Sequence, residues 1–357
     1  MNKLEISRLY SQHLLTIHST TVQELVTCMG AMQAQDYAMA KWGIGIRIPK
    51  ITDDAVTRSI NAGEIIRTHV MRPTWHFVSS NDIYWMLELT APRILNSMKS
   101  RHKQLELTDE IIKKSNNLIV NALSNNNHLT RGELVDQFKQ AGFRLKDNRA
   151  AHLLMRAELD GLICSGKTKG KNPTYALLPE RVPTKKKLTK EEALAKLALT
   201  YFTSHGPATL KDFTWWSGLT VKDAKTGIEL VKNEMVAKEY NEQLYWFSPD
   251  NAIREKNDSV YLLPAFDEFI ISYKDRSPSI SANHKEKTFS SNGIFWPVVL
   301  INGKVNGLWK RTIHKNSLYT EISLFEEVSS LIKEKIIHAA NRYGKFQGME
   351  VKLKFKH

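Results

Sequence analysis

The chain reads as an α+β protein built from tandem winged-helix (helix-turn-helix) domains followed by a C-terminal β-barrel-like domain. Two observations predict this, and a third bears on the partner. A helix, helix, hairpin order occurs three times before residue 252. Beyond Val260 the texture changes to alternating strands, with one strong hairpin signal and one long amphipathic helix. Finally, 51 Lys and Arg outnumber 37 Asp and Glu, a formal net charge of +14 that suits an anionic partner, nucleic acid or a membrane surface. At 357 residues two to four domains are expected. The pattern places them at 1–104, 105–182, 188–252 and 258–357.

In the first domain Thr21 and Glu24 have the spacing of a capping box. They open a helix expected over Thr21–Met32, with Val22, Leu25, Val26, Met29 and Met32 on one face. A short helix follows Thr52 through Val56 and Ile60 and ends near Gly63. Glu64–Thr68 and Thr74–Val78 read as strands about a turn at Met71-Arg72-Pro73. In the second domain Thr130 and Glu133 form another capping box, ahead of Leu134 and Phe138. A helix from Asn148 to Asp160 buries Ala150, Leu153, Leu154 and Ala157 and stops at Gly161. Leu162–Ser165 and Thr174–Leu178 make a hairpin around a basic loop, Gly166–Asn172. Arg144, Lys146, Arg149 and Arg156 decorate the helix and its approach, and Lys167, Lys169 and Lys171 the loop. Phosphate contact or a solvated basic face would each suit them.

The run Arg181–Lys187 is a basic linker. The third copy begins at Thr189 and Glu192, continues with capped helices at Thr209/Asp212 and Thr220/Asp223, and closes as a hairpin, Met235–Glu239 with Gln243–Phe247. It lacks a Lys-rich wing, which suits packing better than gripping. In the last domain Ile294–Ile301 pairs with Lys304–Trp309 across Asn302-Gly303, a two-residue turn of the type that matches strand twist. A helix is expected from Leu324 to Tyr343 with Gly344 as its stop. The tail Met349–Lys356 alternates apolar and basic residues, as an edge strand does. Asp267 and Arg276 are candidates for a salt bridge within this domain.

Several classes are excluded as expectations. Cys28 and Cys164 have no Cys or His at ligand spacing, so neither a disulfide scaffold nor a zinc site is expected. The start Met-Asn-Lys-Leu-Glu-Ile-Ser carries charge where a leader needs an apolar run, and no apolar segment approaches the ~18 residues of a membrane span. A cytoplasmic monomer without metal or small-molecule cofactor is the expectation. Gly43-Ile-Gly45 lacks the third Gly and the Lys of a phosphate loop, and neither a zinc-protease helix nor a nucleophile elbow is present.

What remains is Gln33 and Gln35, flanking one small residue past an apolar helix, with Asp36, His69, Arg72 and His76 nearby in sequence. A glutamine amide is a poor base, but its carbonyl and NH2 together can orient a water molecule. That suits a reaction whose leaving group is already activated, such as hydrolysis of the N-glycosidic bond to a cationic, alkylated purine. Its oxocarbenium-like transition state would gain from nearby dipoles. The same residues also allow a purely structural pair that hydrogen-bonds the helix end. His76 reads either as a catalytic group or as a hydrogen-bonded strand residue, and Arg72 as a phosphate or minor-groove contact.

Met32-Gln-Ala-Gln35, Arg67-Thr68, Arg72-Pro-Thr-Trp-His-Phe77, Leu263-Pro-Ala-Phe-Asp267, Gly303-Lys-Val-Asn-Gly307 and Trp309-Lys-Arg311 occur in the same order as in the AlkZ/YcaQ-type winged-helix DNA glycosylases, which the chain resembles along nearly its whole length. The resemblance implies three winged-helix domains and a C-terminal β-barrel forming a curved cradle for double-stranded DNA. It also implies monofunctional removal of bulky N7-alkylguanines and unhooking of interstrand crosslinks. Carried over by position, the family's catalytic Gln-x-Gln/Asp names Gln33 and Gln35, and its Thr-x-His element names Thr74 and His76. At Pro73 the chain departs from a Gly-bearing version of that turn. The alternative is a non-enzymatic winged-helix DNA-binding protein or regulator.

Overall fold

The computed structural model describes residues 4–16, 19–251, 258–315 and 317–356. The first three residues, on which the reading of the N-terminus partly falls, lie outside this set. The architecture mixes helices and sheets, and the chain divides into two compact units: Met1–Val56 with Leu194–His357, and Thr57–Ala193. The first unit therefore gathers the two ends of the sequence. No described helix is long and apolar enough to cross a membrane.

In the unit Thr57–Ala193, strands Ile65–His69 and Trp75–Ser79 pair antiparallel, with Thr68 opposite His76. Their turn uses a left-handed Met71, φ 63°. Two long helices follow that the apolar pattern did not announce, Ile83–Gln104 and Asp109–Leu123. Pro92 lies inside the first, without ending it. Next come a short strand Leu129–Thr130, helices Arg131–Gln140 and Arg149–Leu159, and strands Ile163–Ser165 and Thr174–Leu177. Thr174–Leu177 is the middle strand of the three. Thr130 and Glu133 cap each other's backbone as their spacing predicts. The core gathers Leu105, Ile112, Ile119, Leu134, Phe138 and Leu153.

In the other unit, Thr21 and Glu24 form the expected capping box, but the helix they open is Val22–Met29, shorter than predicted. Gly30 ends it at φ 73°, and Ala31–Gln33 is a strand. Only glycine fits there: a Cβ on Gly30 would lie 2.9 Å from Thr200 Cγ2 and 3.3 Å from the Trp216 ring. Helix Tyr37–Gly45 begins at once, capped by Asp36. Helices Lys190–His205, Leu210–Ser217 and Val221–Val231 and the hairpin Val236–Tyr240/Gln243–Phe247 follow the third predicted copy closely.

The C-terminal strands form one sheet in the order Glu350–Lys356, Ser317–Leu324, Lys304–His314, Val298–Ile301, Val260–Leu263. Asn302 at φ 52° and Gly303 at φ 77° make the predicted tight turn. The sheet is open, not the barrel expected from the strand-rich pattern. Its two outer strands do not pair with each other; helix Ser330–Gln347 packs against both. That helix runs through Gly344 and stops at Gly348, φ 64°. Gly344 serves packing instead, since a Cβ there would come within 2.3 Å of Val351 Cγ2 on the edge strand. The tail is the edge strand its alternation predicts, paired parallel to Ser317–Leu324.

Asp267 does not bridge to Arg276. It pairs with Arg47, both side chains having no exposure, while Arg276 Nε donates to the Ile270 carbonyl at 2.9 Å. All five N–H groups of Arg47 are used, on Asp267, the Gly43 carbonyl, and the Gln12 carbonyl and amide oxygen, at 2.8–3.0 Å. Removing one partner strands the other charge in the interior. Arg47→Ala is expected to lower unfolding free energy by about 3–5 kcal/mol, read as a lower urea midpoint; an unchanged midpoint would contradict this account.

Candidate active site

Gln33 ends the strand Ala31–Gln33, and its backbone N–H donates to Glu268 Oε1 at 2.6 Å. The side chain of Gln33 is half-buried, and Gln35, two residues on, is exposed. Asp36 follows, its carboxylate accepting from Met39 N–H at 3.1 Å as the helix cap. The result is a ledge of two amides between a glycine-terminated helix and a freshly capped one. Its rigidity comes from behind. Glu268 is buried, and its Oε2 accepts from Trp216 Nε1 at 3.1 Å and from the Ser272 hydroxyl. His205 Nε2 lies 3.6 Å from the same oxygen. Burial lowers the His205 pKa despite its contact with Glu268, so the ring is held neutral. The neighbouring Asp267 caps the short helix Glu268–Ile271 while gripping Arg47.

Glu268, Trp216 and Ser272 were not singled out by sequence reasoning. A signal existed: Asp267-Glu268 interrupts an apolar run from Tyr261 to Ile271, and two acids in such a run need buried partners.

Arg72, Thr74 and His76 belong to the other unit. His76 has no exposed surface; its Nδ1 is 3.0 Å from the Thr74 carbonyl and its Nε2 is 3.5 Å from Arg72 Nη2. Donation from Nδ1–H to that carbonyl leaves Nε2 facing the guanidinium. His69 is also buried, paired with Glu158, which accepts from Trp75 Nε1 at 3.3 Å.

The candidate DNA cations separate by environment. Lys146, Lys167 and Lys171 are exposed. Lys169 is tied to Glu133 at 2.8 Å, and that contact, with the cap, brings the Glu133 pKa down to about 2. Arg144 pairs with Glu106 at 3.1 Å in solvent, and half-buried Arg156 with Asp160 at 2.8 Å. Arg149 corrects the sequence reading: it is buried, and its guanidinium donates to the Leu105 carbonyl, so it braces the start of its helix instead of facing solvent. Among the described residues no group of three or more His, Cys, Asp or Glu could hold a metal ion.

Two outcomes test this geometry. Losing the hydrogen bond to a charged acceptor is worth roughly 1.5–3 kcal/mol. Glu268→Ala should therefore speed amide exchange at Gln33 by about ten- to a hundred-fold. The neutral His205 contributes stability that is full above about 6.5 and is lost as pH falls from there through its lower folded pKa. Melting curves of His205→Asn should accordingly drop less between pH 7 and pH 5 than those of the unaltered protein.

A family model described as DNA glycosylase AlkZ-like matches residues 26–346. An interstrand DNA cross-link repair glycosylase of Streptomyces sahachiroi is 22% identical over 334 residues, covering 85% of this chain and 85% of that protein. The solved structure of Streptomyces sahachiroi DNA glycosylase AlkZ aligns with a TM-score of 0.81 at 19% identity, over 99% of this chain and 98% of that one. At that identity the likeness speaks for a shared fold.

Proposed function

The chain belongs to the AlkZ-like DNA glycosylase family, and from that membership we propose that it is a DNA-repair enzyme. It hydrolyses the N-glycosidic bond of alkylated, N7-substituted purines in double-stranded DNA, and unhooks interstrand crosslinks built on such purines. The observation that carries this is the ledge: Gln33 with its main chain clamped by a buried carboxylate, and Gln35 exposed two residues on.

The chemistry follows from the groups present. An N7-alkylated purine leaves as a neutral base because it is already cationic, so the bond breaks without an acid. Positive charge then develops on the sugar, where amide carbonyls stabilise it by their dipoles. Water adds at the anomeric carbon and its extra proton passes to bulk solvent; Gln35, with Gln33 beside it, accepts a hydrogen bond from that water through a side-chain carbonyl and so orients it. Asp36 is engaged as a helix cap. His76, a catalytic candidate in the sequence, is enclosed and so cannot touch the substrate; its role is instead that of a positioning residue for Arg72, which contacts phosphate. No cofactor is needed, and the enzyme works as a monomer.

Each copy of the helix, helix, hairpin order serves as a winged helix, in the domains 1–104, 105–182 and 188–252, with 258–357 as the last domain. Lys146, Lys167, Lys169 and Lys171, with Arg72, Arg144 and Arg156, meet the DNA backbone. Arg149 is left out because its side chain is spent inside.

Incubation with an N7-methylguanine duplex tests the reaction. Gln33→Ala and Gln35→Ala should each slow base release by about 100-fold or more while duplex affinity holds. Duplex binding without base release by the unaltered protein would leave a non-enzymatic DNA-binding protein. Lys167→Ala and Lys171→Ala should each weaken duplex binding and make its logarithmic salt dependence shallower by about one.

A further inference from the structure

Helix Leu210–Ser217 carries two consecutive tryptophans with opposite fates. Trp216 is buried and donates to Glu268 behind the ledge. Trp215 is 38% exposed, its indole N–H fixed to the Ile271 carbonyl at 2.9 Å. Cations lie over its ring: Lys274 Nζ is 4.7 Å and the Arg276 guanidinium carbon 5.2 Å from the centroid. Arg276 also stands 5.1 Å from the Phe295 ring and 5.6 Å from that of Phe289. Phe295 turns inward onto Phe289, rings stacked at 4.9 Å, and its neighbours Ile294 and Trp296 point outward, 43% and 42% exposed.

This loop is held in place. Ser290 N–H donates to the Ile294 carbonyl at 2.9 Å, Gly293 N–H to the Ser290 carbonyl at 3.0 Å, and Trp296 N–H to the Thr288 carbonyl at 3.1 Å. Large apolar side chains that stay exposed on a fixed backbone lose little freedom when they bind. The exposed charges in the two segments that carry these contacts are Lys274, Lys285 and Lys287 against Asp275 and Glu286, a positive balance.

We propose that Trp296 and Trp215, with Ile294 and Lys274, form a stacking surface for single-stranded DNA, with Arg276 held between the rings as its internal brace. An exposed aromatic ring such as that of Trp296 accepts any base, and an exposed lysine such as Lys274 meets the phosphates between bases. The surface shares its root with the ledge, because Trp216 and the segment after Phe266 hold Glu268, and Phe266 packs 6.1 Å from Phe295. Strand opened near a lesion would therefore find an acceptor on the unit that carries Gln33 and Gln35. The binding itself does not depend on glycosylase activity.

The test uses the full chain and an undamaged single-stranded oligonucleotide, with affinity followed by fluorescence anisotropy. Trp296→Leu should bind about five- to a hundred-fold more weakly, since the loss of one stacked base is of that size. Trp296→Phe should bind nearly as the unaltered protein does, because the ring is kept. Lys274→Ala should flatten the logarithmic salt dependence by about 0.7, the value for one phosphate contact on a single strand. Equal affinity of Trp296→Leu and the unaltered protein would overturn the proposal. So would Trp296→Phe binding as weakly as Trp296→Leu with an unchanged melting temperature. Base release from an N7-methylguanine duplex is read in parallel, and its absence bears only on the glycosylase reading.

Discussion

The buried acidic pair Asp267-Glu268 organises the unit that carries the ledge. Asp267 takes both terminal nitrogens of Arg47, and Glu268 takes the Gln33 backbone and the Trp216 indole. Arg47 in turn reaches Gln12, so segments separated by more than two hundred residues meet at two consecutive side chains. A buried ion pair is not a large net stabiliser, because desolvation offsets much of the attraction. What it imposes is specificity: a displaced chain would leave charges unpaired in the interior. The position of the Gln33 main chain is set by that penalty more than by any preference of its own three-residue strand.

This arrangement separates charged support from neutral surface. The ionised and titratable groups, Arg47, Asp267, Glu268 and His205, are enclosed behind the ledge. The groups presented by the ledge are amides that do not titrate. Surface cations are divided as well. Lys146, Lys167 and Lys171 reach solvent, whereas Arg149 is spent on the Leu105 carbonyl. A polyanion recruited by net charge would therefore meet exposed lysines, while the ledge keeps its geometry at any pH that preserves the interior network.

Local motifs were legible. The capping pairs Thr21/Glu24, Thr130/Glu133 and Thr209/Asp212 appear with both reciprocal hydrogen bonds. Asn302-Gly303 turns as its backbone preference dictates. In each case the partners lie within four residues, so no tertiary information was needed. The differences arise where a glycine has two readings. Gly30 ends a helix that apolar periodicity continues, and Gly344, which the pattern makes a stop, admits a strand. The strand-rich end suggested closure, but a helix packed on both outer strands, and the sheet stayed open.

The order of residues alone determined the capped helices, the tight turn, the alternating edge strand and the prominence of Gln33 and Gln35, because these depend on side chains a few positions apart. Only the tertiary structure decided which acid meets which base. It gave Asp267 to Arg47 instead of Arg276, put Glu268 behind Gln33, and withdrew Arg149 from solvent. A charge in a sequence carries no label of its surroundings, and whether water or a buried partner surrounds it is settled only when distant segments pack.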